Sequence, residues 1–435
     1  MSASDRPAGP ADAARDAFGN EIDPIVGYAR GRILSTDAAF HRKIHHAHAL
    51  VRARAADGGA FHVLTGNRAD FPLAPADLGL GCDGWVGPAV YGPALTTFAR
   101  AHLGADDTSD VALFNRTSAG VIAAIGALVP AGGLVLSLVP RGRAHPCVRR
   151  GARLVGATVV EGASISALAD ELAGRRPDLA ILTPVTSELD AFEDGALFQA
   201  VDECRERRIT TLVDDAYGTR VRPVLLDGPR TFELPVDLGI TNSDKAALGG
   251  PRAGIMVGRP DLLARVHAYA VSIGQEAREP TGLAVLRALE RWRPDLLLSD
   301  ARHGQALADA LVSRLGPSRV RLTLLGPSIS EEAVLELMLE RAGLPLEAAP
   351  VVPVEATALL GLLLLEAHGI VTVNALSEAG ARPSVRLKPT LDAVPALGGA
   401  DRLAEIVDDA ISRASTMLRD VEALRDAILG ADHAG

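Results

Sequence analysis

Between about residues 110 and 260 the chain alternates short apolar runs with helix-like stretches, and this alternation constrains its fold more than any other feature. VALFN (111–115), LVLSLVP (134–140), ATVVEG (157–162) and LAILTPV (179–185) read as strands. The helix-like segments SAGVIAAIGALV, HPCVRRGARLVG, SISALADELAGRR and ALFQAVDECRERR follow them in turn. ITTLVDD (209–215), LGITNSD (238–244) and AGIMVG (253–258) complete the series. Several runs are apolar at nearly every position rather than every second one, as strands covered on both faces require. The spacing predicts an α/β fold with a mostly parallel sheet covered by helices.

At 435 residues the chain is too long for one simple core. The pattern predicts an N-terminal helical segment (1–60), a large α/β domain (61–290) and a smaller α+β C-terminal domain (291–435). The longest apolar run, ATALLGLLLL (356–365), lies between Glu355 and Glu366 and is too short to span a bilayer, so a buried segment is expected. The polar, acid-bearing start MSASDRPAGPADAARDAFGNE is unlike a signal peptide. Cys82, Cys147 and Cys204 are far apart and form no CxxC, which points to a reduced, cytoplasmic setting without a disulfide framework. A net charge of −10 counts against a nucleic-acid platform. His41, His45 and His48 share one helix face at i, i+4 and i+7, but no cysteine and no HExxH-type acid accompanies them. A solvated or subunit-facing helix is expected there, with no metal.

The chemistry gathers at strand ends, where ligands of open parallel sheets bind. Lys245 lies in TNSDKAALGG, after one strand and before the glycine turn GGPRAG. VDDAYG ends another strand with Asp214 and Asp215. NRTSAG (115–120) opens a helix, whose free N–H groups and dipole suit a phosphate, yet it lacks the GxxxxGK[ST] of a nucleotide P-loop. A phosphate cradle, a carboxylate and a lysine at strand ends together suit pyridoxal 5'-phosphate. The carboxylate would keep the ring nitrogen protonated, and the lysine would hold the cofactor covalently.

On these residues the chain resembles the fold type I pyridoxal phosphate enzymes, and within them the selenocysteine synthase (seryl-tRNA selenium transferase)-like branch. NSDKAALGGPRAGIMVG is similar to that branch's SGDK-x-LGGPQAGI motif. The resemblance runs from about 60 to 290 and more weakly to the C-terminus. It implies the cofactor-bound lysine at Lys245 and the ring-nitrogen acid at Asp214, with Asp215 the alternative one residue on. It implies a small residue on the ring face at Ala216, and His145 against the opposite face or, more plainly, capping a helix. Thr117, Ser118 and Ala119 would form the phosphate loop, where either hydroxyl could also be an N-cap. Ser243 would supply the hydroxyl before the lysine, and Thr186 would sit near the phenolic oxygen. Arg386 resembles the arginine that grips a substrate α-carboxylate, with Lys388 or Arg382 as replacements and a structural salt bridge as the plain alternative. Arg252 replaces the branch's usual glutamine and would favour an anionic group of the substrate, or face solvent. WVGPAVYGPAL (85–95) would reach a neighbouring subunit's site, unless Trp85 simply packs.

The resemblance implies an amino-acid lyase or transferase acting by β-elimination or β-replacement, assembled as a homodimer or larger. A tRNA substrate is not expected, because no basic platform is evident. The alternatives are an oxygen-dependent monooxygenase-decarboxylase that converts a β-hydroxy-α-amino acid to a carboxamide, of the nucleoside-antibiotic type, and a cofactor-binding scaffold without activity.

Overall fold

The structure is a computed structural model that describes residues 14–390 and 392–431; the first thirteen residues of the polar N-terminal segment lie outside the described residues. All seven expected strands form, and they join one sheet. They are β1 (Asp110–Phe114), β2 (Leu134–Leu138), β3 (Thr158–Gly162), β4 (Leu179–Leu182), β5 (Thr210–Asp214), β6 (Leu238–Asn242) and β7 (Gly254–Gly258). Their spatial order is β1-β7-β6-β5-β4-β2-β3. Every pair is parallel except those of β7, which runs antiparallel to both β1 and β6. The nearly continuous apolar runs account for the position of the strands: β2, β4, β6 and β7 are buried at every residue. Separate apolar clusters cover the two faces, one built on Val135, Ile181 and Leu212 and the other on Leu136, Ala180 and Leu182. Side chains alternate across a strand, so one continuous apolar run feeds both clusters.

One expected helix is nearly lost. SISALADELAGRR forms only a 3-10 turn at Ser166–Leu168 and a single helical turn at Ala169–Leu172. Ala173 and Gly174 both adopt left-handed backbone (φ 47° and 74°), which ends the helix there.

The N-terminal segment carries helix α1 (Asp37–Ala56), whose first turn is capped by the Thr36 side chain. It packs with the residues beyond 300, not with the sheet. Ile33, Leu34, Phe40 and Leu64 share one core with Leu307, Met338 and Ile411. Strand pairing also ties the two, with His62–Val63 parallel to Ile370–Val371. A three-stranded antiparallel sheet (Arg321–Thr323, Gly326–Ile329, Val385–Arg386) completes the α+β C-terminal part.

The ATALLGLLLL run lies inside the helix Pro353–His368, which is buried over its first thirteen residues. No helix among the described residues is long and apolar enough to cross a membrane. At its start the buried Glu355 accepts hydrogen bonds from Ile33 N and Leu34 N (2.7 Å each) and Val352 N (3.2 Å). The carboxylate fills the space beside Gly31, where an added Cβ would come within 2.1 Å of it. Glu355→Ala would strand two buried N–H groups of the N-terminal segment. It is expected to destabilise the chain by about 3 kcal/mol in urea unfolding, with Glu355→Gln losing roughly half as much. Equal losses for the two variants would remove this hydrogen-bonded role.

Candidate active site

β1, β5 and β6 all end on one edge of the sheet, because β7 reverses direction between β6 and β1. β5 delivers Asp214 as its last residue. β6 ends at Asn242, three residues before Lys245. β1 ends at Phe114, and helix α2 (Thr117–Leu128) starts just beyond it. Gly254 of β7 lets the start of α2 come close, since a Cβ there would lie 2.8 Å from the Arg116 carbonyl.

The chain turns sharply after Lys245. Ala246 and Ala247 both hold left-handed backbone (φ 47° and 64°), which costs about 1–2 kcal/mol per non-glycine residue. Strain of this kind concentrates at functional sites, held by the structure around it. Here the Ser243 hydroxyl donates to the Pro251 carbonyl and clamps the turn. The N–H of Arg68 donates to the Asp244 carbonyl (2.7 Å).

The two neighbouring acids divide cleanly. Asp215 is fully buried and bonded to both terminal nitrogens of Arg222 (2.7 and 2.8 Å), and it accepts the Thr231 hydroxyl (2.6 Å). Asp214 faces the other way, into a recess of about 60 Å³ that it shares with Lys245, His145, Thr183 and Ala216. Its Oδ1 is buried without a hydrogen-bond partner, as is Thr183 Oγ1. Burial raises the Asp214 carboxyl to about 6, against the opposing pull of Lys245. Burial likewise lowers the Lys245 amine, with Asp244 and Asp214 resisting. His145 is driven down to about 3 by burial and by the nearby Lys245, so its ring is neutral. Its Nδ1 accepts the Cys147 N–H (3.3 Å) at the start of the next helix, so the capping role and the place in the recess coexist.

A wider cavity of about 170 Å³ adjoins the recess through Thr117, Ser118, His145, Tyr217 and Lys245. The Ala119 N–H is bonded to the Arg116 carbonyl (3.0 Å), and Ala119 lines neither space. Thr117 and Ser118 line both. Ser243, committed to its turn, also stands outside them. Thr186 lines the recess and accepts the Asp190 N–H through its hydroxyl (3.2 Å).

Arg252 lines the outer cavity half-exposed, with Nε 3.5 Å from Asp244 Oδ2. Arg386 lines the same cavity, donates to the Ser187 carbonyl (2.7 Å) and lies 3.3 Å from Glu188, while its buried Nε has no partner. The structural ion pair and the cavity-facing group are therefore one side chain. Arg382 also lines the cavity and donates to the Arg143 carbonyl (2.7 Å). Beyond Arg382 lies a larger cavity of about 570 Å³, lined by Glu188, Arg319, Arg321 and Glu331 but by no lysine.

Two expectations fall outside this site. Trp85 is 90% exposed, so it does not pack within the chain. His41 and His45 lie exposed on α1 with their Nε2 atoms 2.9 Å apart, and no group of three or more metal-ligating side chains occurs among the described residues.

No family model matches the chain. A pyridoxal phosphate-dependent protein of the UPF0425 group from Methanothermobacter thermautotrophicus is 31% identical over 370 residues, covering 84% of this chain and 91% of the relative. The chain belongs to the UPF0425 family of pyridoxal phosphate-dependent proteins. A member from Methanopyrus kandleri is 30% identical over 333 residues, covering 75% of this chain and 84% of its own. Among solved structures, L-threonine transaldolase from Pseudomonas fluorescens superposes with a TM-score of 0.55 at 14% identity, covering 91% of this chain and 95% of its own. A probable N-succinyldiaminopimelate aminotransferase from Thermus thermophilus gives 0.53 at 16% identity, covering 84% and 100%. At such identities the likeness is one of fold, and the fold is that of fold type I enzymes. The UPF0425 name carries the cofactor but no reaction.

Several residues that line or adjoin the candidate site carried no clear signal in the sequence. Tyr217 stands inside the quoted VDDAYG motif and contacts two lysines, with Lys245 Nζ 5.1 Å and Lys388 Nζ 4.6 Å from its ring centroid. Arg116 is inside NRTSAG and lines the outer cavity. Thr183, in LAILTPV, was readable only as a strand end. Asn67 reaches the site through a backbone bridge to Lys245, and nothing in its own neighbourhood signals that.

The Asp214 shift sets a pH dependence. The unfolded chain loses this proton near the ordinary value of 3.8, whereas the folded chain keeps it to about 6. The folded state thus holds more protons over that interval, and its stability falls as pH rises through it. Cofactor-free Asp214→Asn lacks this loss. Its stability relative to wild type is expected to rise between pH about 4 and 6 and then level off, by on the order of 2–3 kcal/mol. Urea unfolding of both proteins across that range measures it, and a constant difference would contradict the assigned burial.

Proposed function

We propose that this chain is a fold type I pyridoxal phosphate enzyme acting on an α-amino acid, by β-elimination or β-replacement. The observation that carries the site is the unpartnered, buried Oδ1 of Asp214, in one recess with the Lys245 amine. That oxygen fits a ring N–H donor, and the amine fits a carbonyl carbon. The cofactor phosphate matches the start of α2, where Thr117 and Ser118 line the cavity and Arg116 and Arg252 add positive charge. The residues present therefore fit the cofactor at each of its three handles. His145 and Ala216 line the recess that the ring would occupy. When bound, pyridoxal phosphate withdraws electrons from the substrate α-carbon and labilises its bonds.

The chain's own groups supply the rest. Asp214 holds a proton at the ring nitrogen. Arg386 pairs with the substrate α-carboxylate through its unpartnered Nε edge. The Lys245 amine, made less basic by burial, would take the α-proton and return it to the leaving β-substituent or the product. The likeness of NSDKAALGGPRAGIMVG to the selenocysteine synthase branch supports β-chemistry over other fates of the α-carbon. A homodimer or larger assembly belongs to the same reading and is supported by exposed Trp85, Val86 and Val90 at the start of the helix Gly87–Leu103. Sedimentation at the monomer mass would remove it.

Purified protein is expected to carry a visible absorption band that borohydride bleaches, and Lys245→Ala is expected to lack it. An unchanged band in that variant would sink the site. Amino acids with a β-leaving group should release a keto acid and ammonia without oxygen uptake. Oxygen consumption matched to carbon dioxide release from a β-hydroxy amino acid would instead establish an oxidative decarboxylase.

A further inference from the structure

The positive charge of the outer cavity exceeds what a cofactor and an ordinary amino acid would neutralise. Among the described residues Lys245, Arg116, Arg252, Arg382, Arg386 and Lys388 line it, against the single acid Asp244. Arg116 and Arg252 lie near each other at the α2 side, where burial and the Arg252 charge both lower Arg116, and a phosphate there accounts for the two. Arg386 accounts for the α-carboxylate. Arg382 and Lys388 are left over, and of the two Arg382 is partly exposed and donates to the Arg143 carbonyl, whereas Lys388 is buried.

Lys388 is 3% exposed. Its Nζ lies 2.8 Å from the Tyr217 hydroxyl and 3.5 Å from the Ser187 carbonyl, and no carboxylate stands within ion-pair distance among the described residues. The acid whose charge bears on it, Glu188, is already bonded by the Ser384 hydroxyl and faces Arg386 and Arg321. The position of Lys388 is fixed in advance. Its N–H donates to the Leu64 carbonyl (2.8 Å), its carbonyl accepts the Gly66 N–H (3.1 Å), and its side-chain stem packs so close to Gly66 that a Cβ there would come within 3.0 Å. A buried ammonium without a counter-charge is strongly disfavoured, and burial together with Arg386 and Lys245 holds the Lys388 amine well below its ordinary range. An arriving anion supplies the missing partner and restores the charge to an amine whose position is already fixed.

We propose that Lys388, beside Arg386, forms a second anion subsite, and that the substrate is an amino acid whose side chain carries its own acidic group, a carboxylate or a phosphate. This deepens the proposed function and rests on it, because the subsite is defined relative to a substrate held at Lys245 and Arg386. Tyr217 positions the lysine through its hydroxyl and is not itself an anion ligand.

The test is binding of matched pairs to the holoenzyme by isothermal titration calorimetry: aspartate against asparagine, glutamate against glutamine, and O-phosphoserine against serine. At least one acidic member is expected to bind tenfold or more tightly than its neutral partner, and the pair that shows it distinguishes a carboxylate from a phosphate. That ratio is expected to fall below threefold in Lys388→Met and to survive in Lys388→Arg. Ratios are read within each protein, so a general loss of affinity or stability does not obscure them. No acidic preference in the wild type overturns the inference. So does an unchanged ratio in Lys388→Met, which would place Lys388 on the α-carboxylate or in the scaffold. A borohydride-sensitive band in the same preparation, with flat ratios, rejects the subsite while leaving the proposed function intact; a missing band rejects that function itself.

Discussion

The Asp215–Arg222 pair is the constraint on which the site depends. Successive side chains of a strand point to opposite faces, so two adjacent acids at the end of β5 cannot both enter the recess. Arg222 binds both oxygens of Asp215, and Thr231 adds a third hydrogen bond to the same carboxylate. With Asp215 held on that side, Asp214 is directed into the cavity with one oxygen left unpaired. A second buried arginine secures the neighbouring strand end. Arg220 donates to the Asn242 carbonyl and side chain (3.1 and 2.8 Å) and to the Ala216 carbonyl (3.2 Å). It thereby locks the β5 end, which bears the acid, to the β6 end, which leads to the lysine. The cavity's geometry is thus set by charges that never touch it.

Burial alone makes Arg220 and Arg222 expensive, and each is tolerated because its terminal nitrogens meet oxygen acceptors. Arg220 is depressed to about 10 by desolvation, with Asp215 the leading counterweight. Its Nε is buried without a partner, so the satisfaction of that guanidinium is incomplete. Removing Arg222 would leave the buried Asp215 carboxylate without its counter-charge, and removing Arg220 would take a donor from the Asn242 and Ala216 carbonyls; such losses exceed the net worth of the pair itself.

Most of the fold was legible because it follows from local chemistry. Continuous apolar runs of five or so residues, separated by turn and helix signals, specify doubly covered strands, and all seven appear where VALFN through AGIMVG place them. Lys245, Asp214 and the start of α2 were legible for a related reason: parallel strands export their C-terminal residues to one edge. The helix expected over SISALADELAGRR (164–176) stops at Leu172 because two left-handed residues in succession, Ala173 and Gly174, override a helical composition. What the sequence concealed depends on contacts far along the chain. Lys388 meets Tyr217 across 171 positions, and Arg386 meets Ser187 across 199. No spacing rule anticipates such pairs. The choice between Asp214 and Asp215 was equally hidden, since it turns on Arg222 and Thr231, which lie 7 and 16 positions beyond Asp215.

The electrostatics of the cavity also explain how a chain of net charge −10 can receive anions. Binding responds to the local field, and here cations from the strand edge and from the C-terminal segment converge on one space while the acids lie mainly elsewhere. Without a ligand these cations repel one another, and burial adds to their discomfort, as the lowered Lys245, Lys388 and Arg116 record. An anionic occupant relieves both terms at once. Cofactor binding should therefore stabilise the folded chain beyond what its contact area alone would give, because a ligand that binds only the folded state shifts the folding equilibrium in proportion to its affinity. The strained turn at Ala246 and Ala247 belongs to the same balance. It is tolerated because the Ser243 clamp and the surrounding core hold it, and it keeps the lysine at the mouth of the recess instead of letting it retreat into solvent.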